Sequence, residues 1–470
     1  MRRPVLVAFL LALASIASAC GQKPGVGGTL AAGGVAQGET AGGLTSGSTA
    51  AAGGTAAGGG TTVAGGGATG RGGTAAGGKA GGTTAVAGGG STAAVGASAG
   101  SADTTGISKT EIRIGIHAPK TGAAAVSTFD QAVGVYSQWA GNIPGLGNRH
   151  ITVYSADDKF DPSEARRVCK ELVEVDHVFL LIGGAGVDAI KSCAEYAASK
   201  GVPYMSPGVT EGPFKSMPGY FAMSETYSQQ NVQLAQLIAH QIKKTKVGMI
   251  LTDSPLLNET EDSFKSEAGK NGLSVVYVGK LAKDAGKTQT DTEISNLKKN
   301  GAEVVYALIS PTVFGFLVSS AKQQQYNPTF TGPGLSVGVN LVAAAVCQPP
   351  FPDVRYLSPM VEMDQINSRD PNYIPAYKKK NGSGSQPDDI GILLWGIEKM
   401  ARLEMESAGP SLSRQSLIKT LAQGKSYATN VYSTVKYGVA PHFGASTTTL
   451  LTLDCQKLQY TTTAAFASHF

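Results

Sequence analysis

Charge is what this chain has least of. Asp, Glu, Lys and Arg make up 16% of its 470 residues, and the formal net charge is +5. A nucleic-acid surface needs a dense basic patch with aromatic stacking residues between the cations. The densest basic clusters, Lys243-Lys244-Lys246 and Lys378-Lys379-Lys380, fall late in predicted helices and hold no interleaved aromatics. Cations there are favoured by the helix dipole and by solvent, so no nucleic-acid partner is expected. Histidine is sparse as well: His117, His150, His177, His240, His442 and His469 are scattered, and none pairs at metal-ligand spacing. The five cysteines include no CxxC, which removes the usual zinc spacing. Neither metal nor any other cofactor is expected.

What is abundant is glycine, 62 residues, concentrated with Ala, Thr and Ser between residues 21 and 105. That stretch has no apolar periodicity and hardly any charge, so it cannot form a core. A Gly-rich coil of this length has a root-mean-square reach of roughly 50 Å, which suits a tether. Ahead of it, Met1–Ala19 reads as an export signal. Arg2 and Arg3 supply the charged start, and the apolar run Val5–Ile16 is too short to span a bilayer. Ala17-Ser18-Ala19-Cys20 follows. Small residues ending in cysteine resemble the lipobox of bacterial lipoproteins, with Ala17 where Leu is usual. The resemblance implies cleavage before Cys20 and acylation of its thiol, which would fix the chain to a membrane. An ordinary signal peptide cleaved after Ala19 is the alternative.

From Glu111 onward strand and helix patterns alternate. Glu111–Pro119 is a buried strand followed by a helix through Trp139. Ile151–Ala156 is a strand, and Asp161-Pro162-Ser163-Glu164 opens a helix with an Asp N-cap and Pro at its first position. Val178–Gly183, Val202–Ser206, Val247–Thr252, Ser274–Val278 and Glu303–Ile309 are further strands. This alternation implies α/β architecture with parallel sheets covered on both faces, and there are too many units for one sheet. Two doubly wound lobes are the simplest partition.

The order of four motifs carries a resemblance. Pro119-Lys120-Thr121-Gly122 ends the first strand, and Ala156-Asp157-Asp158 with Asp161-Pro162 follows the second. Ile182-Gly183-Gly184 follows the third, and Gly201-Val202-Pro203-Tyr204-Met205-Ser206-Pro207 with Thr210 belongs to the fourth. Together they resemble the type I periplasmic binding protein fold, in the branch of the Leu/Ile/Val-binding proteins, over residues 107–470. The resemblance implies two lobes, a ligand cleft between them and three chain crossings. Lobe 1 is then expected at 107–227 plus 358–430, and lobe 2 at 228–357 plus 431–470, after a tether at 20–106. It also implies capture of a small solute for an ABC permease and ATPase, by a monomer. A receptor domain signalling to a membrane kinase or chemoreceptor is the alternative, since the same fold serves both.

Four cysteines besides Cys20 in an exported domain favour disulfides and allow three pairings. Cys169 lies on the apolar stripe Ala165, Val168, Cys169, Leu172, Val173, and Cys193 on Ile190, Cys193, Ala194, Ala197, the inward faces of consecutive helices. Cys169–Cys193 is the natural pair, which leaves Cys347–Cys455 inside the expected lobe 2. Buried free thiols are the alternative.

Two motifs mimic catalytic sites. Gly334-Leu335-Ser336-Val337-Gly338 matches a nucleophile elbow, but the same pattern recurs at Gly96-Ala97-Ser98-Ala99-Gly100 inside the tether. A Ser hydrolase at Ser336 would need a His and an acid within reach, and His442 and His469 have no supporting context. Gly184-Ala185-Gly186-Val187-Asp188-Ala189 matches a dinucleotide fingerprint, yet the strand that follows ends in Ser206-Pro207 with no acid for a ribose. Those glycines instead suit backbone amides approaching a ligand at a helix N-terminus. No enzymatic activity is expected.

A ligand should sit beyond the carboxyl ends of the strands. Lobe 1 offers Thr121, Gly122, Gly184, Ala185, Gly186, Gly208, Val209 and Thr210. By the family resemblance, the Gly184 and Thr210 loops hold a ligand carboxylate through backbone amides and the Thr210 hydroxyl. Lobe 2 offers Leu256, Leu257, Ser310, Thr312, Phe314, Gly334 and Leu335, and Met363 lies nearby. In the amino-acid-binding relatives an acid follows the Gly-Pro of the last loop and pairs with the ligand ammonium. Here Gly332-Pro333 is followed by Gly334. An unpaired desolvated cation is costly, so a small organic acid or amide with an apolar body fits better than an α-amino acid.

Overall fold

The structure is a computed structural model that describes residues 102–208, 212–333, 340–350 and 352–470. The signal peptide, Cys20, the tether as far as residue 101, Val209, Thr210, Gly334, Leu335 and Ser336 lie outside the described residues. The tether was expected to run to residue 106, but 102–106 already belong to the folded part. Asp103 accepts a 2.8 Å bond from Arg414, whose own backbone amide bonds back to the Asp103 carbonyl.

β1 (Glu111–Ala118) opens the first lobe. The single helix expected after it is two short ones, α1 (Phe129–Ala132) and α2 (Val135–Ala140). They are separated by Gly134, whose φ of 74° no helix accommodates. β2 (His150–Asp157) leads to α3 (Pro162–Glu174), where Asp161 accepts the amides of Ser163 and Glu164. Its buried stripe is Ala165, Val168, Cys169, Leu172 and Val173. β3 (Leu180–Gly183), α4 (Val187–Ser199), β4 (Tyr204–Ser206) and β5 (Tyr220–Ala222) complete a five-stranded parallel sheet in the order β2-β1-β3-β4-β5.

The chain then crosses. α5 (Tyr227–Gln236) packs on the second lobe, started by a capping box between Thr226 and Gln229. β6 (Lys246–Thr252), α6 (Asn258–Lys270), β7 (Ser274–Leu281), α7 (Lys287–Lys299) and β8 (Val304–Leu308) repeat the alternation. α8 (Pro311–Gln323), β9 (Thr329–Gly332), α9 (Asn340–Val346) and β10 (Asp353–Ser358) continue it. A second crossing returns α10 (Met363–Arg369), α11 (Tyr373–Asn381), α12 (Asp389–Ser407), α13 (Arg414–Leu421) and the small pair β11 (Ser426–Tyr427) and β12 (Val435–Lys436) to the first lobe. β13 (Thr448–Asp454) and β14 (Gln459–Ala467) finish the second sheet, antiparallel to their neighbours. That sheet is seven-stranded, in the order β14-β13-β10-β9-β8-β6-β7.

One boundary needs correction. The third crossing was expected at 430/431, but Val431, Tyr432, Val435, Tyr437 and Ala445 are buried in the first lobe's core, and the Ala222 amide bonds to the His442 carbonyl. The chain therefore leaves the first lobe after Ala445. Disulfides join Cys169 to Cys193 between α3 and α4, and Cys347 to Cys455, with Cα separations of 5.8 and 5.1 Å. Neither bridge links one lobe to the other.

Candidate functional site

Each sheet reverses its strand order once, at β1/β3 in the first and at β6/β8 in the second. Such switch points leave a crevice beyond the strand ends where no connecting helix covers it. The two crevices face each other across one cavity of about 620 Å³. The first lobe supplies the ends of β1 and β3 and the loop 183–186; the second supplies Thr252, Leu257, Lys283 and the segment 308–311.

Of the residues expected from the sequence, Gly184, Ala185, Gly186, Gly208, Leu257 and Ser310 line this cavity. Gly186 is needed as glycine: its φ is +80°, and a Cβ there would lie 2.5 Å from the Phe160 ring. The remaining described candidates lie elsewhere. The Thr121 hydroxyl and amide both bond to the Asp157 carboxylate, at 2.5 and 3.2 Å, which fastens Thr121 and Gly122 to the end of β2. Leu256 is partly buried and packs against the cluster of Val187, Tyr227 and Leu257 without lining the cavity itself. Thr312 is exposed on α8. Phe314 is buried in the second lobe's core, edge-on to Phe330 and Tyr356. Met363 packs against the first lobe's core. None of these described residues lines the cavity, and Thr121 is held by a bond to a distant position in the sequence.

Several cavity residues were not foreseen. His117 is fully buried at the end of β1, with Nδ1 2.7 Å from Asp158 and Nε2 2.7 Å from the Tyr204 hydroxyl. Tyr204 also donates to the Gly183 carbonyl at 2.9 Å, so the trio braces the 183–186 loop from below. Burial pushes the Tyr204 hydroxyl far above its ordinary range. Among the described residues, the one cluster with metal-like spacing is His117 with Cys169 and Cys193. Its two sulfurs are bonded to each other, so it is no ligand set. Tyr227, at the first crossing, lines the cavity, and burial raises its hydroxyl to about 12. It stays a neutral donor and acceptor at any ordinary pH.

Polar contacts join the two rims. Lys283 of the second lobe donates to the Phe160 carbonyl at 2.9 Å and to Asp161 at 3.2 Å. The Glu164 amide first, and the Lys283 ammonium after it, hold the Asp161 carboxyl below its usual range despite some burial. Ser254 donates to Asp188 at 3.1 Å, and Glu259 accepts the Gly212 amide at 2.6 Å. The cleft is thus described with its lobes closed. Among the described residues two acids line the cavity, both on the first lobe: Asp188 meets Ser254, and Glu195 is paired with Lys191. The described wall of the second lobe carries a cation, Lys283, and no carboxylate.

Comparison with known proteins agrees with this architecture. The family described as "Periplasmic binding protein" matches residues 111–456, and the chain belongs to that family. A leucine-, isoleucine-, valine-, threonine- and alanine-binding protein of Pseudomonas aeruginosa is 24% identical over 312 residues, covering 64% of this chain and 82% of the relative. Among solved structures, a solute-binding protein of an ABC transporter from R. palustris, in complex with benzoate, superposes with a TM-score of 0.63 at 18% identity, covering 77% of this chain and 98% of the other. A branched-chain amino acid substrate-binding protein from Streptococcus pneumoniae, in complex with isoleucine, gives a TM-score of 0.62 at 18% identity, covering 76% and 100%.

Proposed function

We propose that this chain is an exported, lipid-anchored solute-binding protein that closes its lobes on a small carboxylate or neutral amide and delivers it to an ABC permease. The observation that supports the reading is the closed cleft at the switch points of both sheets, whose second-lobe wall, among the described residues, offers Lys283 and no acid. The 183–186 loop ends at the N-terminus of α4, where amides suit an oxyanion. An α-amino acid would bring an ammonium that meets no carboxylate on that wall, and Gly334 stands where the amino-acid-binding relatives place one. No chemical step is needed: binding draws the lobes together because the ligand contacts both only in the closed form.

Calorimetry with matched ligands tests the headgroup. Leucine, isoleucine and valine should bind at least tenfold more weakly than their deaminated analogues, as expected for an unpaired buried charge. Tighter binding of the amino acids would overturn the reading. The anchor is tested separately: Cys20→Ala should release the protein from the membrane fraction with its ligand affinity unchanged. Retention of the variant in the membrane would remove the lipid from the proposal.

A further inference from the structure

The cavity does not end at the cleft. It continues into the first lobe, between the segment 124–129 and α12, as an arm lined by Ala124, Val126, Phe129, Ile390, Leu393 and Leu394. With Ile397, the α12 residues stand at i, i+3, i+4 and i+7, one face of the helix. Part of that face packs into the first lobe's core, and part of it lines the cavity. None of these side chains carries a polar atom, so water in the arm would forgo hydrogen bonds. Ile390, Leu394 and Phe129 are 2–3% exposed, which places the arm inside the lobe and away from bulk solvent. A cavity of about 620 Å³ is of the size that takes a drug-sized ligand, larger than a single amino acid needs.

We infer that the ligand is an amphipathic monocarboxylate whose extended apolar tail lies along the α12 stripe, with its head at the 183–186 loop and Lys283. The identity of the head rests on the function proposed above; the tail rests on the arm alone. Affinity should then rise with tail length by about fourfold per methylene, until the arm is full.

The test is calorimetry with the straight-chain acids from butanoate to dodecanoate and with the primary alcohols of the same lengths. Both series should show the rise, the alcohols more weakly. Leu394→Trp fills the arm and should shorten the longest well-bound chain by several carbons, with a far larger loss for dodecanoate than for butanoate. Ala124→Leu narrows the arm from the opposite wall, should shift the limit the same way, and decides the matter if the first variant fails to fold. A rise in the alcohols without binding of the acids would keep the arm and discard the carboxylate head. Affinity independent of chain length in both series overturns the inference. So does an equal loss for short and long chains in a folded variant.

Discussion

Glu404 lies in α12 with no exposure; its Oε1 accepts from the Tyr437 hydroxyl at 3.0 Å, and its Oε2 has no partner. Burial pushes its carboxyl up to about 8. Glu225, beside the first crossing, is raised to about 7 by burial, against the bond from Gln233. In the unfolded chain both would ionise near their ordinary value of 4.5. Between those values the folded form holds protons that the unfolded form has lost. The stability they contribute is therefore complete below about pH 4.5 and is lost as pH rises through about 7 to 8. Thermal unfolding should show a melting temperature that falls from about pH 5 to about pH 9. Glu404→Gln keeps the shape and the bond to Tyr437, and should flatten part of that fall. An unchanged slope in the variant would show that Glu404 ionises in the folded protein as it does in the unfolded.

At the scale of elements, what could be read from the sequence was what short-range periodicity writes. The α3 stripe, its Asp161 cap and the facing stripe on α4 were legible because both helices bury one face along their whole length. β5, at Tyr220–Ala222, was not read from the sequence. The third crossing was misplaced because residues 431–445 form no long element and join the first core through single buried tyrosines and valines. In the site, the glycines singled out at strand ends fall in the 183–186 loop, which lines the cavity. The bond between Thr121 and Asp157 joins distant positions and left no local trace. The α12 stripe is legible as apolar, but a stripe facing a ligand and one facing protein have the same sequence.

For the whole molecule, the rim contact of Lys283 bears on motion. Its bonds to the Phe160 carbonyl and Asp161 join the lobes directly. Lys283→Met keeps an unbranched side chain one atom shorter and removes the charge. The ligand-free variant should give a larger radius of gyration in small-angle scattering than the unaltered protein, because the closed population loses a contact that the open one never had. Asp161→Asn, which can still cap α3, should act in the same direction and more weakly. Identical scattering from all three proteins would mean that these rim bonds do not set the balance between open and closed forms.

The bridge from Cys347 to Cys455 spans 108 positions, and the chain between them makes the whole second excursion through the first lobe, α10 to β12. Both ends of that excursion are thus fastened to one body, like a strap buckled on the side it leaves from. A protease that nicks the strap once at any point opens a ring and frees no fragment. The cut protein stays one covalent molecule for as long as it meets no reductant that would undo the buckle, and such reductants are scarce beyond the cytoplasm.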